Sequence, residues 1–167
     1  MAMDITLFSP AGVIVEPVRI HRARQSLKSL GFDVTLDPDT LARHQRFAGD
    51  DATRLAALHR VARASPSVAM AARGGYGLTR LLPHIDWKLI AKSIERGTRW
   101  VGHSDMTALQ LGLLGKVGAV QTWAGPLARD QFGRSDEEGG VDEVTAGCFA
   151  EAMRGEEVVS TSANKQQ

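Results

Sequence analysis

The feature that most constrains the fold is a recurrence of short apolar runs, each parted from the next by a stretch of helical length. The runs are Ile5 to Phe8, Phe32 to Leu36, Ser67 to Ala72, Trp100 to Gly102 and Ala119 to Trp123. Between them the apolar spacing changes to three, four or five. Val15, Val18, Ala23, Leu27 and Leu30 form one such series, stopped by Gly31, and Leu55, Leu58, Val61 and Ala62 form another behind the capping residues Asp50 and Asp51. Asp86 caps a third series through Ile94, and Thr107 to Lys116 makes a fourth. Alternation between a two-residue and a helical period predicts strands joined by crossover helices, hence parallel pairing. The expected fold class is α/β, doubly wound about a mostly parallel sheet.

Beyond the fifth run the reading is thinner. Arg129 to Gly140, "RDQFGRSDEEGG", is polar and glycine-bearing and is expected to be an exposed loop. Val144, Cys148, Phe149 and Met153 predict one more amphipathic helix before Val158 and Val159. The expected division is a single α/β domain over 1–155, followed at 156–167 by a linker or frayed tail leading toward a carboxy-terminal domain.

The chain has 167 residues, enough for one domain with a real core. Its 20 basic and 19 acidic residues give a net charge of +1 with no block of one sign, which argues against a nucleic-acid track or a polybasic membrane anchor. Cys148 is the sole cysteine and fits a reducing compartment. No secretory leader or spanning run is visible, so a cytoplasmic location is expected. A homodimer is the expected assembly.

In doubly wound sheets the site lies at the carboxyl ends of the strands, and two motifs fall there. One is the glycine loop of "RGGYG", Arg73 to Gly77. Glycines after a buried strand let the backbone approach a ligand and present N–H groups to an anion, although the spacing matches neither the dinucleotide fingerprint nor the P-loop. The other is "GHSDM", Gly102 to Met106, where a strand gives way to a helix. It is a partial match to a nucleophile elbow, with Met106 where a second glycine would stand. A serine at such a corner exposes its Oγ, and the N–H of Asp105, with a second from the glycine loop, would face a developing oxyanion.

Ser104 requires a base. Of His21, His44, His59, His84 and His103, the first and third sit in helix-like, charged surroundings; His103 is a neighbour whose ring projects elsewhere, and His84 stays open. None has a convincing carboxylate partner. His103 and Asp105 lack a third metal ligand, so neither a metal nor a cofactor is expected, and Asp105 reads as a helix-start residue. Arg73 and Arg80 flank the glycine loop as candidates for a substrate carboxylate, with Arg80 equally readable as a solvated helix residue. Tyr76 and Trp123 are candidate pocket residues.

Taken together, "RGGYGLTRLLPHIDW", "VGHSDMTALQLGLL" and "AGPL", preceded by "SPAG", "LKSLGFDV" and "RFAGDDATRLAALHRVA", resemble in order and spacing the amino-terminal half of the LD-carboxypeptidases, from about Ile5 to Leu127. This serine peptidase family also contains the microcin C self-immunity peptidases. The resemblance implies a flavodoxin-like or class I glutamine-amidotransferase-like domain, Ser104 as nucleophile, and an oxyanion hole from the backbone of Asp105 and Gly75. It implies release of terminal D-alanine from murein tetrapeptides, with Arg73, Gly74 and Tyr76 toward the substrate. The glutamate and histidine of the triad would come from a carboxy-terminal domain, so the chain is expected to be one part of a longer protein or cleaved precursor. Two positions depart from the family pattern: Ala124 stands where a histidine often precedes Gly-Pro, and His103 replaces an aromatic. Two other readings stay open, a peptidase acting on peptidyl-nucleotides and a non-catalytic anion-binding module.

Overall fold

The computed structural model describes residues 1–118 and 121–155. Five strands form one parallel sheet: β1 (Asp4–Phe8), β2 (Asp33–Leu36), β3 (Val68–Ala71), β4 (Arg99–Gly102) and β5 (Trp123–Ala124), in the order β2-β1-β3-β4-β5. This is the flavodoxin-type order, in which the chain reverses its direction of growth between β1 and β3 and leaves a crevice there. The helices are α1 (Pro17–Ser29), α2 (Asp51–Ala64), the single turn α3 (Leu78–Leu81), α4 (Trp87–Glu95), α5 (Met106–Val117) and α6 (Glu143–Arg154).

Strand alternation divides the core in two. Ile5, Leu7, Val68, Met70 and Val101 turn to one face, where they pack with Ile20, Ala23 and Leu27 of α1 and Phe149 and Met153 of α6. Phe8, Ala69, Ala71 and Trp100 turn to the other, against Leu58, Val61, Ile90, Met106, Leu109 and Leu113 of α2, α4 and α5. Phe8 and Trp100 meet edge to face with centroids 5.5 Å apart. The Trp100 indole N–H, fully enclosed, donates to Ser93 Oγ at 2.9 Å.

Helix starts follow the capping rule read from the sequence. Asp50, Asp86 and Asp142 each accept from the N–H three residues on, at 2.7, 3.0 and 2.7 Å.

Four expectations need correction. Val15 and Val18 are 62% and 56% exposed, and Ile20 takes the buried position, because α1 begins only at Pro17 and its inward stripe starts one turn later. The fifth strand, expected over Ala119 to Trp123, is Trp123–Ala124; 119 and 120 lie outside the described residues. The segment from Arg129 is not wholly an exposed loop: Ala128–Phe132 forms a π-helical turn whose Ala128 and Phe132 are fully buried against the α1 face. On α6, Ala146, Phe149, Ala150 and Met153 are buried, whereas Val144 and Cys148 point outward. The expected tail at 156–167, with Val158 and Val159, lies outside the described residues.

Candidate active site

Three loops converge at the carboxyl ends of β1, β3 and β4. The loop after β1 brings Gly12 so close to the glycine loop that a Cβ there would lie 2.7 Å from the Gly74 carbonyl oxygen. A Cβ on Gly74 would in turn lie 3.2 Å from Ser104 Cβ, 3.3 Å from Ser104 Oγ and 3.2 Å from Asp105 Oδ1. Absence of a side chain at Gly74 is thus what lets the glycine loop rest on the serine turn. The structure brings Ser104, Asp105, Gly74 and Gly75 together as one cluster.

Ser104 is exposed and left-handed, with φ +62°. That conformation costs a side-chain-bearing residue about 1–3 kcal/mol and tends to be retained where function needs it. Gly102 makes the corner possible: a Cβ there would strike Met106 Cγ at 2.7 Å, in the first turn of α5. Among the described residues no side chain hydrogen-bonds to Ser104 Oγ. His103 turns aside, its Nδ1 lying 3.0 Å from the Gly125 carbonyl oxygen. His59 is occupied elsewhere, its Nε2 accepting from the Asp86 N–H at 3.0 Å, and burial lowers its pKa. His21, His44 and His84 are exposed.

Asp105 stands at the start of α5, where the sequence placed it as a helix-start residue, with helical φ −66° and ψ −21°. It occupies the N-cap position of α5, but its side chain makes no capping bond. Both carboxylate oxygens are instead buried without a hydrogen bond of good geometry. Burial pushes its pKa up to about 6, opposed by the nearby N–H groups of Asp105, Met106 and Gly75 and by the charge of Arg54. Those N–H groups stabilise the carboxylate electrostatically while lying outside full hydrogen-bond geometry.

Arg54 is a residue the sequence reading did not single out. It is fully buried, donating to the Pro10 and Gly49 carbonyls at 3.0 and 3.2 Å and to Asp51, with its guanidinium 4.8 Å from the Phe47 ring centroid. A Cβ on Gly77 would lie 2.8 Å from its Nη1, so Arg54 underlies the far end of the glycine loop. An arginine in a helical series looks like a surface residue until tertiary packing encloses it.

The remaining candidates are placed as follows. Arg73 donates to the Val13 carbonyl and its guanidinium lies beside Gly12, bracing the loop after β1. Arg80 is 62% exposed and grips Asp51 through Nε, at 2.9 and 3.0 Å, holding that carboxyl below its ordinary pKa. Tyr76 is 79% exposed beside the loop, and Trp123 is half-buried under the Arg99 guanidinium, 5.6 Å from its ring centroid. Arg129, also missed, is tied to the site's frame: its N–H donates to the Ala72 carbonyl at 2.9 Å, one residue before the glycine loop.

The strand order and converging loops define a doubly wound α/β domain with its site at the topological switch. Residues 5–125 match the family model described as the LD-carboxypeptidase N-terminal domain, and the chain belongs to that family. A Streptomyces coelicolor protein named as a carboxypeptidase is 33% identical over 129 residues, covering 74% of this chain and 40% of that protein. A Bacillus subtilis protein named "Probable murein peptide carboxypeptidase" is 34% identical, covering 72% of this chain and 37% of its own length. Among solved structures, the muramoyltetrapeptide carboxypeptidase from Oxalobacter formigenes superposes with a TM-score of 0.77 at 35% identity, covering 90% of this chain and 47% of that one. The microcin C7 self-immunity protein, at 22% identity, shares the fold with a TM-score of 0.80, covering 92% and 44%. The chain therefore spans less than half the length of these relatives. No helix among the described residues is long and apolar enough to cross a membrane.

Proposed function

We propose that this chain is the nucleophile-bearing part of a serine-type LD-carboxypeptidase that releases terminal D-alanine from murein tetrapeptides. The observation that carries the reading is the left-handed turn at Ser104, exposed at the end of β4 with the glycine loop packed directly on it. In the proposed reaction Ser104 Oγ attacks the scissile carbonyl carbon as a base removes its proton. The oxyanion is held by the N–H groups of Asp105 and Gly75, the amine leaves with a proton, and water releases the acyl group from the serine.

The base and its orienting carboxylate are proposed to come from a carboxy-terminal domain. This is supported by the absence, among the described residues, of any side chain bonded to Ser104 Oγ, and by relatives of which the match covers only 37–47%. Arg73 and Tyr76 are the proposed substrate contacts on this half. The murein substrate is favoured over a peptidyl-nucleotide because the relatives named for murein peptides are at 34% and 35% identity, whereas the microcin immunity protein is at 22%.

The test is D-alanine release from a murein tetrapeptide by the chain joined to its carboxy-terminal half. Ser104→Ala should lower kcat by at least about 10³-fold, as loss of a nucleophile does. Release that survives the substitution disproves the assignment, and faster cleavage of a peptidyl-nucleotide would redirect the substrate.

A further inference from the structure

We propose that the apolar groove between β5 and α6 is the surface on which the carboxy-terminal half of the protein seats, and that this seating carries the base to Ser104. It presupposes the reading of Ser104 given above and adds the place where the second half binds.

The sequence of α6 asks for more cover than the core supplies. Ala146, Phe149, Ala150 and Met153 are buried on the α1 face of the sheet. Val144, Cys148 and Ala152, each four residues from the next, form a second apolar ridge beside them. Val144 is 72% exposed, Cys148 is exposed and Ala152 is half-buried. At roughly 100° per residue the two sets together sweep about 240° of the helix, against the stripe of about 100° that a helix resting on one core needs. Glu143, Gly147, Glu151 and Arg154 fill the polar remainder.

The ridge borders a groove of about 440 Å³ lined on its other side by Trp123, Ala124 and Pro126. No charged side chain lines it, whereas the cavity at the ends of α4 and α5 is lined by Lys88, Lys92 and Lys116. Among the described residues β5 pairs with β4 alone, so its outer edge is bare. An uncharged concave surface beside a bare strand edge suits contact with polypeptide.

Two observations select the occupant. The match covers only 37–47% of the relatives, and the matching family model is described as amino-terminal, which leaves in those relatives a carboxy-terminal half of comparable size. The groove also joins the two places such a half must connect. Arg154, at the close of α6, donates to the Leu30 carbonyl near the amino end of β2, across the sheet from Ser104. At the other end Gly125 lines the groove, and its carbonyl oxygen lies 3.0 Å from Nδ1 of His103, the neighbour of Ser104. Polypeptide following α6 must travel back about 18 Å, the length of that helix, to reach the nucleophile. The groove is an apolar path along that line.

Cys148, the sole cysteine of the chain, stands on the ridge and reports its cover. Its alkylation by iodoacetamide is timed in the 167-residue chain and in the chain joined to its carboxy-terminal half. Each rate is divided by the rate in urea and assigned by peptide mass, with Leu114→Cys, at an exposed position of α5, as the reference. In the 167-residue chain Cys148 should react within about threefold of the reference, and in the joined protein at least about tenfold more slowly at every protein concentration. Equal rates in the two proteins overturn the proposal. Protection already present in the 167-residue chain overturns it too, as does protection that fades on dilution, which would assign the groove to a second copy. In the joined protein Cys148→Arg should lower D-alanine release at least about tenfold, since a buried unpaired charge opens the contact, and Leu111→Arg on α5 should leave it unchanged. Full release by Cys148→Arg overturns the proposal; should that variant fail to fold, the alkylation rates decide. Ser104→Ala should keep Cys148 protected. Failure of the nucleophile assignment thus shows in the D-alanine assay of that variant, and failure of the seating in the alkylation rates.

Discussion

Asp105 shows how one side chain can work against the stability of the fold that holds it. Its carboxyl has an ordinary pKa of 3.8 that rises to about 6 on folding, so between those values the folded chain keeps a proton that the unfolded chain has released. Stability therefore falls as pH rises through that window, and the whole penalty is present at neutral pH. Asp105→Asn, which cannot ionise, should be more stable than the parent at pH 7 by about 1–3 kcal/mol, with the difference shrinking toward zero below about pH 4. Urea unfolding at the two pH values checks this; a gain that grows toward acid would contradict it. The Gly-His-Ser-Asp run revealed the corner itself, since Gly102 and a short polar residue are what a tight strand-to-helix turn needs. It did not reveal where the Asp105 side chain goes, because an N-capping aspartate and a buried one are spelled alike.

Among the elements, the π-helical turn Ala128–Phe132 is the one that reading for polarity hid. Arg129, Asp130 and Gln131 make the stretch look solvated, while Phe132 is fully buried and stacks edge-on with Phe149 at 5.3 Å. Arg22 of α1 anchors the same turn by donating to the Gly133 carbonyl at 2.7 Å. Phe132→Ala should cost about 3–5 kcal/mol in chemical denaturation, as truncation of an enclosed aromatic does. A cost under about 1 kcal/mol would mean the turn is peripheral to the core. Helices with a clear apolar stripe and an aspartate cap were legible because both signals are local. The phase of α1 was not, since Val15 and Val18 have the right spacing and only the start at Pro17 sets which residues turn inward.

At the level of the whole molecule, Arg54 joins parts of the chain that are distant in sequence. It ties α2 to the loop after β1 through Pro10, to its own approach segment through Gly49, and lies against Gly77 of the glycine loop. Arg54→Met should cost about 1–3 kcal/mol, because it strips the Pro10 and Gly49 carbonyls of a buried donor, while Asp51, 42% exposed, keeps Arg80. Urea unfolding would measure it, and an unchanged midpoint would show that the buried guanidinium holds nothing. The sequence alone determined the α/β class, the places where strands end and the two motifs at those ends, because periodicity, caps and glycine turns act over a few residues. Only the tertiary structure decided the strand order, the burial of Arg54 and Asp105, and the seating of Gly74 on Ser104. Those depend on contacts between segments far apart in the chain, and whether a charged side chain meets water or a neighbour is settled only when the sheet brings its loops together.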